Sequence, residues 1–306
     1  MKYKTLGYSL IVFLLFTGMF MFISKRESNK SIENVGSNFA VHLRSSANSG
    51  KIHVNDNWSE TKTAGICTGE GTESNPYSLK NLVIDAEGIG HGIHVENTTE
   101  YFKIENCTIF NSGGEIHDSG IMLENVTNGY LINNTTHDNN QGMSIYSCLN
   151  LRIERNRLFD STGMKIYWTN NTFIYLNTFM NSHIMVFSQW SYMQYYSQVE
   201  FSYTFNGNSF TNFLGNYWID HSGPDGDGDG IVDLPYIVYS YVPDNPDLKD
   251  FYPLISPIDA YSNIKQVESG IPGFNLISLL SIIGIIATIF VIINRKSVNK
   301  SKIVSS

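Results

Sequence analysis

A sequence repeat of about 21 residues, running through residues 92–212, restricts the fold of this chain severely. Each unit opens with a glycine followed by alternating apolar residues, and the opening glycines stand 28, 22 and 21 residues apart: Gly92, Gly120, Gly142 and Gly163. One short alternating segment cannot bury its apolar face alone, so successive units have to stack. The repeat therefore predicts an all-β chain whose core is a right-handed, single-stranded parallel β-helix.

An asparagine recurs at one turn of the later units: Asn134, Asn156, Asn177 and Asn208. Asparagines at the same turn of stacked coils can hydrogen-bond to one another and satisfy buried backbone groups. We interpret these four residues as a structural ladder, with Cys107 at the same position in the first coil. Glycosylation is the alternative for Asn134, which lies in an N-x-S/T sequon. Asn97 and Asn125 are better glycan candidates, because they follow outward-facing strand ends.

Alternation within the repeat predicts which side chains face the core. We expect one inward stack, made of Ile93, Val95, Ile121, Leu123, Met143, Ile145, Met164, Ile166, Ile184 and Val186. The residues between them are expected to point outward in a row, made of His94, Met122, Ser144, Lys165 and Met185.

Two parts of the repeat are longer than the others. Between Gly92 and Gly120 the extra residues are expected to bulge outward at residues 113–117. Asn177 and Asn208 are 31 residues apart, and the segment between them carries several aromatic residues. These aromatics either close the C-terminal end of the solenoid or form an exposed platform for sugar rings. The candidate ligand-binding residues of such a platform are Trp190, Tyr192 and Tyr195.

The motif with the clearest chemistry is an Asp-rich loop at residues 225–233. Carboxylates at alternate positions can converge on a hard cation, and Gly230 permits the sharp turn. The expected ligands of a structural Ca²⁺ are Asp225, Asp227, Asp229, the carbonyl of Ile231, and Asp233. The glutamate of an EF-hand would fall at Tyr236, so the loop is instead similar to the calcium loops of dockerin-type and thrombospondin-type repeats. A solvated acidic turn is the alternative.

The formal net charge of −8 conceals an asymmetry. Residues 31–270 contain 11 lysine and arginine residues against 27 aspartate and glutamate residues, which is a net charge of −16 for this part. Such a surface repels nucleic acid and anionic lipid. We therefore expect no nucleic-acid partner.

Two apolar segments flank this acidic part. Residues 6–23 follow two lysines, as in a secretory signal peptide or an uncleaved signal anchor, and cleavage is left open. Residues 274–293 precede a basic tail, which is the pattern of a membrane-spanning helix with its positive flank inside. We therefore expect hydrophobic helices at both termini, a body that is extracellular or periplasmic, and a cytoplasmic C-terminal tail.

The expected organisation has seven segments. They are a signal peptide or signal anchor (1–30), an N-terminal stalk and cap (31–80), the parallel β-helix (81–213), a C-terminal cap with the Asp-rich calcium loop (214–258), a linker (259–270), a transmembrane helix (271–294) and a basic cytoplasmic tail (295–306). A cap is required because the first coil of a solenoid exposes an open strand edge.

The chain contains three cysteines and eight histidines, the residue types that supply redox chemistry and transition-metal ligands. An external compartment permits disulfides, and Cys67 could reach Cys107, so this pairing is left open. His91 and His94 are three residues apart, which on a strand predicts opposite faces. We interpret the histidines as solvated or capping residues rather than as transition-metal ligands.

With these features in hand, the chain resembles the NosD-like right-handed β-helix proteins, the parallel β-helix repeat family. The resemblance covers residues 69–254 and includes Gly69-x-Gly71-Thr72 near the entry and Leu214-Gly215-Asn216-Tyr217-Trp218 near the exit. It implies an envelope protein with a C-terminal membrane segment. The family name refers to periplasmic copper delivery.

Three functional hypotheses follow. The first is a non-catalytic, membrane-anchored surface protein that binds glycans or an envelope partner. The second is a polysaccharide lyase or hydrolase, because the same fold houses such enzymes and fold alone does not settle function. The third is a copper-handling accessory protein, which would require histidine and methionine side chains within bonding distance of one metal ion.

Overall fold

In the computed structural model of the chain, the repeat units wind into a parallel β-solenoid of about five turns. The structure describes residues 50–160, 162–180, 184–187, 193–240 and 248–267. The expected terminal helices, the membrane segment and the basic tail all lie outside these residues. Among the residues described, none of the helices has the length and apolarity needed to cross a membrane.

Three parallel sheets form the walls of the solenoid. Sheet 1 contains seven strands in the order β1 (Ile52–Asn55), β4 (Ile93–Glu96), β7 (Ser119–Glu124), β10 (Gln141–Tyr146), β13 (Met164–Tyr167), β16 (Ile184–Val186) and β22 (Tyr239–Ser240). Every third strand of the chain enters this sheet until β16, as expected of coils that each contribute one strand to each wall.

The other two walls contain six strands each. Sheet 2 consists of β2 (Tyr77–Lys80), β5 (Phe102–Glu105), β8 (Gly129–Ile132), β11 (Leu149–Glu154), β14 (Asn170–Tyr175) and β17 (Met193–Gln194). Sheet 3 consists of β3 (Val83–Asp85), β6 (Thr108–Phe110), β9 (Thr135–His137), β12 (Arg157–Leu158), β15 (Thr178–Phe179) and β20 (Tyr217–Trp218).

The core lies between the three walls, and the predicted inward stack of sheet 1 is confirmed. All ten of its side chains have no exposed surface, from Ile93 in β4 to Val186 in β16. In-register pairing places like residues above one another, as with Ile93, Ile121 and Met143. Because each coil covers the apolar side chains of the next, stacking supplies the burial that a single unit lacks.

The glycines that open the units mark close approaches between coils. A Cβ at Gly120 would lie 2.9 Å from the carbonyl oxygen of Gly142, and one at Gly142 would lie 2.6 Å from that of Gly163. Neither glycine has a positive φ, so the requirement is for space and not for backbone freedom. The repeated glycine is therefore explained by the spacing of the stacked coils.

Buried asparagines connect successive coils at the turn between sheets 2 and 3. The side-chain oxygen of Asn156 accepts the amide of Asn134 over 3.0 Å, and that of Asn177 accepts the amide of Asn156 over 3.0 Å. Both oxygens also accept backbone N–H groups, those of Asn134 and Asn156 respectively, over 2.9 Å. Cys107 occupies the preceding position, and its backbone N–H donates to Asn134 over 3.0 Å.

The assignment of Asn208 to this ladder is corrected by the structure. The next position belongs to Asn216, whose side-chain oxygen accepts the amide of Asn177 over 2.9 Å. Asn208 is exposed and begins β19 (Asn208–Asn212), which pairs antiparallel with β18 (Phe201–Phe205). The turn between them contains Asn206 and Gly207 at φ of 46° and 82°, a sequence that favours hairpins.

A small antiparallel sheet is added to the solenoid, and two of its strands, β18 and β19, are inserted between the solenoid strands β17 and β20. It contains β18, β19 and β24 (Tyr261–Gln266), and β21 (Tyr236–Ile237) pairs separately with β23 (Lys249–Asp250). A 3₁₀ turn spans Ile258–Ala260. Part of the segment expected to be a linker is therefore a strand, because β24 pairs with β18 on both sides of an irregularity between Ser202 and Thr204.

The N-terminal end is closed by the helix α1 (Trp58–Thr63). Trp58 is buried, stacks on Tyr77 at 5.0 Å between ring centroids, and donates its indole N–H to Thr98 over 3.1 Å. Solenoid strands begin at Ile52 and not near residue 81, so the expected cap supplies the first coil.

The three cysteines are buried free thiols, and Cys67 and Cys107 do not pair.

Asn97 and Asn125, the glycan candidates, belong to an exposed asparagine row. The amide of Asn125 donates to Asn97 over 2.9 Å, and that of Asn97 donates to Asn55 over 3.2 Å. Asn97 and Asn125 have φ of 57° and 51°. Asparagine adopts this left-handed conformation more readily than other side-chain-bearing residues. The turn geometry is therefore a structural reason for these asparagines.

Candidate functional site on the outer face of sheet 1

The outward residues of sheet 1 form two parallel rows. Register places His53, His94 and Met122 side by side in the first row. The second row runs through Glu96, Glu124, Tyr146 and Tyr167. The face therefore carries imidazoles and carboxylates at its N-terminal end and aromatic rings toward its C-terminal end.

At the N-terminal end, His53, His94 and Glu96 form a compact cluster. The imidazoles of His53 and His94 stack at 4.8 Å between centroids, and Nε2 of His53 lies 2.7 Å from Oε1 of Glu96. One ligand atom of each residue lies within 4.8 Å of the others. Nε2 of His94 is buried without a hydrogen-bond partner among the described residues, and Oε2 of Glu124 is 3.7 Å away, too far for a hydrogen bond.

The structure contradicts the expectation that His91 and His94 lie on opposite faces. Their rings meet edge to face at 5.0 Å between centroids. His91 precedes β4, so strand alternation does not apply to it. Its Nδ1 accepts the backbone N–H of Ser119 over 3.2 Å. Burial, assisted by the neighbouring His94, lowers the pKa of His91 to about 4, and burial also lowers the pKa of His94.

His53 was not recognised as a site residue from the sequence. Its segment has Lys51 where the later units have their opening glycine, so the glycine repeat does not include it. The signal was present, because Ile52-His53-Val54 has the same pattern as Ile93-His94-Val95. The two segments pair in register.

The extra residues between Gly92 and Gly120 bulge outward, as predicted, and cross the middle of this face. Gln141 and Lys165 both donate to the carbonyl oxygen of Ile116, the latter over 3.5 Å. Met122 and Ser144, two members of the outward row, are buried, and the hydroxyl of Ser144 donates to the side-chain oxygen of Gln141. His117, in the same loop, contacts the hydroxyl of Tyr146 at 3.3 Å through Nδ1.

Beyond this loop, three aromatic rings form a continuous stack on the outer face. The centroids of Tyr146 and Tyr167 are 4.2 Å apart, and those of Tyr167 and Phe187 are 4.3 Å apart, with interplanar angles of 17° and 5°. Trp168 stands beside the stack with 67% of its surface exposed. Its φ of 45° is unusual for a bulky residue. The stack and Trp168 are called the aromatic row below.

The structure contradicts one part of the predicted aromatic platform, the exposure of Tyr195. Trp190 and Tyr192 lie outside the described residues. Tyr195 is fully buried in the core, and its hydroxyl contacts the sulfur of Met193 at 3.6 Å. Tyr195 therefore has no ring face available to a ligand, because its segment forms the last coil of sheet 2 rather than an exposed loop.

The Asp-rich loop brings Asp225, Asp227 and Asp229 together, with one carboxylate oxygen of each within 4.8 Å of the others. Each also holds the backbone of the turn. Oδ2 of Asp225 accepts from Gly230 over 3.0 Å, Oδ1 of Asp227 accepts from Asp229 over 3.2 Å, and Oδ1 of Asp229 accepts from Ile231 over 2.8 Å. The remaining Oδ1 of Asp225 is buried without a hydrogen-bond partner among the described residues.

The other two expected ligands, Ile231 and Asp233, lie next to this trio. Oδ2 of Asp233 accepts the backbone N–H of Gly226 over 3.0 Å, and Ile231 is buried against Leu254. Burial raises the pKa of Asp229, with the charges of Asp227 and Asp225 adding to the effect. A cation among these carboxylates would relieve their mutual repulsion.

The solenoid is the part of the chain that is similar to a known protein family. A family model described as periplasmic copper-binding protein (NosD) matches residues 87–223. The match covers less than half of the chain, and over these residues the solenoid is similar to the NosD family. The NosD match begins before β4 and ends just before the Asp-rich loop, so it covers most of the outer face described above. No curated protein and no solved structure matched the chain.

Proposed function

We propose that this chain is a non-catalytic binding protein of the cell envelope, which presents the outer face of sheet 1 to a glycan. An extracytoplasmic location is supported by the description of the NosD family as periplasmic. The proposed membrane anchor rests on the apolar residues 274–293, with residues 6–23 as a signal peptide or second anchor; both lie outside the described residues.

The aromatic row carries this proposal. Sugar rings bind to aromatic faces through their apolar C–H surfaces, and phenolic hydroxyls bond to the sugar edge. Trp168 offers a large exposed ring beside the hydroxyls of Tyr146 and Tyr167. A positive φ raises the conformational free energy of a residue as bulky as Trp168. Residues strained in this way are found most often at functional sites.

A structural Ca²⁺ at Asp225, Asp227, Asp229, the Ile231 carbonyl and Asp233 is part of the proposal. The loop is attached to the antiparallel sheet by several hydrogen bonds. Tyr203 donates to the carbonyl oxygen of Asp229 over 2.9 Å, Asn212 donates to the Asp229 carboxylate over 3.0 Å, and Tyr261 donates to the carbonyl oxygen of Gly230. A cation in the loop would therefore hold this sheet in place.

The test is glycan binding by the full chain, measured on an array of envelope and plant-type polysaccharides. Trp168→Asn removes the exposed ring and keeps a residue that accepts a positive φ. We expect this variant to lose binding while its melting temperature does not fall, because asparagine adopts the positive φ at lower cost than tryptophan. The control is Phe159→Asn, which removes an exposed aromatic ring after sheet 3. Loss of binding in both variants, or in neither, would contradict the proposal.

The polysaccharide-degrading alternative is tested with the same samples, by following release of reducing or unsaturated ends. An enzyme of this kind needs accessible carboxylates or basic groups. On the outer face of sheet 2, Glu154 is 1% exposed and bonds to Arg152 over 2.8 Å, and Arg152 lies over the rings of Tyr130 and Tyr175. The carboxylate of Glu154 is therefore buried and paired with Arg152, so it is not accessible as an acid or base, and binding without cleavage is the expected result.

Copper handling is a second candidate function. It is favoured by the NosD family description and by the cluster of His53, His94 and Glu96. This candidate does not exclude glycan binding, because the cluster and the aromatic row occupy different ends of the face.

A further inference from the structure

The cluster at the N-terminal end of sheet 1 has the composition of a transition-metal site. We propose that His53, His94 and Glu96 bind one divalent transition-metal ion, Cu²⁺ or Zn²⁺, and that Glu124 supplies a fourth ligand. The proposal deepens the copper-handling candidate by naming its metal site, stands on the geometry of these residues and does not depend on glycan binding.

Three consecutive coils build this site. His94 and Glu96 are two residues apart on β4, so both point outward from the same strand. His53 comes from β1 in the preceding coil, in register with His94, and Glu124 comes from β7 in the following coil, in register with Glu96. The parallel stacking therefore fixes the backbone positions of all four residues before any ion binds.

The observation that indicates a ligand is that Nε2 of His94 has no hydrogen-bond partner among the residues that the structure describes. This nitrogen is buried, and its nearest acidic neighbour, Oε2 of Glu124, is 3.7 Å away. Buried polar atoms in native proteins nearly always have a partner, and one that does not calls for an explanation. A metal ion placed between His94 and Glu124 would be bonded by both.

The donor set selects the class of ion. Imidazole nitrogen with carboxylate oxygen suits Zn²⁺ and Cu²⁺, whereas Ca²⁺ prefers a shell made only of oxygens. This cluster therefore differs in chemistry from the Asp-rich loop. Bonds to Zn²⁺ are about 2.0–2.2 Å long, so the ligand atoms have to draw in from their present separation of up to 4.8 Å. The side chain of His53 is 58% exposed and has room for this movement.

His91 and Ser119 block access to the metal site from one side. The ring of His91 lies edge to face against that of His94 at 5.0 Å, and its Nδ1 is held by the backbone N–H of Ser119. The open side faces solvent through His53. An ion can therefore enter from outside without displacement of the core.

A bound ion would connect the first coil of the solenoid to the second and third. The first coil carries the open edge of sheet 1, which is the place where strand loss would begin. Metal binding is thus expected to raise the melting temperature of the chain, because an ion that binds only the folded state stabilises it.

The experiment is titration of the full chain, freed of metal and kept in excess Ca²⁺ so that the Asp-rich loop does not compete. Binding of Zn²⁺ is followed by calorimetry, and binding of Cu²⁺ by the nitrogen hyperfine pattern of its electron paramagnetic resonance spectrum. We expect one ion per chain, two coordinated imidazole nitrogens for Cu²⁺, and a higher melting temperature with either metal.

His53→Ala is the main variant, since His53 is exposed and its removal leaves the core intact. We expect its affinity to fall by roughly 10–100-fold or more, because loss of even an outer partner of a metal ligand has an effect of that size. Glu124→Gln tests the fourth ligand in the same way. The control is His137→Ala, which removes a part-exposed histidine from sheet 3. Equal affinity in wild type and His53→Ala, or an equal loss in His137→Ala, would overturn the proposal.

Discussion

The side-chain oxygen of Asn177 accepts two hydrogen bonds from Asn156, one from its side-chain amide over 3.0 Å and one from its backbone N–H over 2.9 Å. The amide of Asn156 also donates to the carbonyl oxygen of Leu131 over 2.9 Å. Both asparagines are fully buried. Each ladder residue therefore satisfies backbone groups that no strand can reach, and it connects three coils while doing so.

Asn156→Ala should destabilise the chain by about 1–3 kcal/mol, because it leaves the carbonyl oxygen of Leu131 and one lone pair on Asn177 unpaired in the core. Urea unfolding followed by circular dichroism measures this change. The matched control is Asn97→Gly, which removes an exposed asparagine and keeps a residue suited to its positive φ. Losses of equal size would show that the buried ladder contributes nothing beyond the exposed row.

Gly142→Ala should also destabilise the chain. Its Cβ would lie 2.6 Å from the carbonyl oxygen of Gly163, 2.7 Å from Oγ1 of Thr136 and 2.8 Å from Asp160, all closer than real Cβ contacts. The coils have to move apart to remove these close contacts. We expect this to lower the free energy of unfolding by about 1–3 kcal/mol, as in other overpacked cores. Gly114→Ala is the control, since a Cβ there meets no atom within 4 Å. Unchanged unfolding of Gly142→Ala would exclude this explanation of the repeat.

Much of the solenoid was predictable because its signal is periodic. The alternation around Ile93, Ile121 and Met143 specifies the inward face, and the recurring asparagine specifies the turn. The Asp-rich loop was equally visible, because its alternating carboxylates are adjacent in sequence and converge without help from distant residues.

The rest depends on contacts between distant segments. Asn208 was assigned to the ladder because its spacing resembled the repeat, although Asn206-Gly207 is a hairpin signal that competes with it. Tyr195 was expected at the surface, whereas it occupies an inward position of the last coil. The sequence does not predict the cluster of His53, His94 and Glu96, because His53 and His94 are 41 residues apart and are brought together only by strand pairing.

Removal of Ca²⁺ should lower the melting temperature of the chain. An ion present at 100 times its dissociation constant adds about 2.7 kcal/mol to the free energy of unfolding. Scanning calorimetry with and without EGTA measures the shift, and Asp227→Asn should abolish it. Asp138→Asn, an exposed carboxylate change at a turn in sheet 3, should retain it. A wild-type chain that melts at the same temperature in Ca²⁺ and in EGTA would rule out the calcium site.

Asp250 provides a prediction on pH. This carboxylate is fully buried and accepts the backbone N–H and the amide of Asn216 over 2.7 and 3.2 Å, the indole N–H of Trp218 over 3.0 Å and the backbone N–H of Tyr252 over 3.1 Å. Burial raises its pKa to about 7, against the opposing effect of these donors. An aspartate in an unfolded chain has a pKa of about 3.9.

At pH values between these two pKa values, Asp250 is protonated in the folded chain and ionised in the unfolded chain. The free energy of unfolding should therefore decrease as the pH rises from about 4 to about 7, and this contribution should be constant above that range. Urea unfolding of the wild type and of Asp250→Asn in Ca²⁺ buffer, at several values between pH 5 and pH 8, isolates the effect, because all other titrating groups are shared. The variant should be less stable throughout, since its amide NH₂ meets donors, but the gap should narrow as the pH rises. Parallel curves for the two proteins would contradict a pKa of about 7 for Asp250, because they would mean that this carboxyl does not titrate in the folded chain between pH 5 and pH 8.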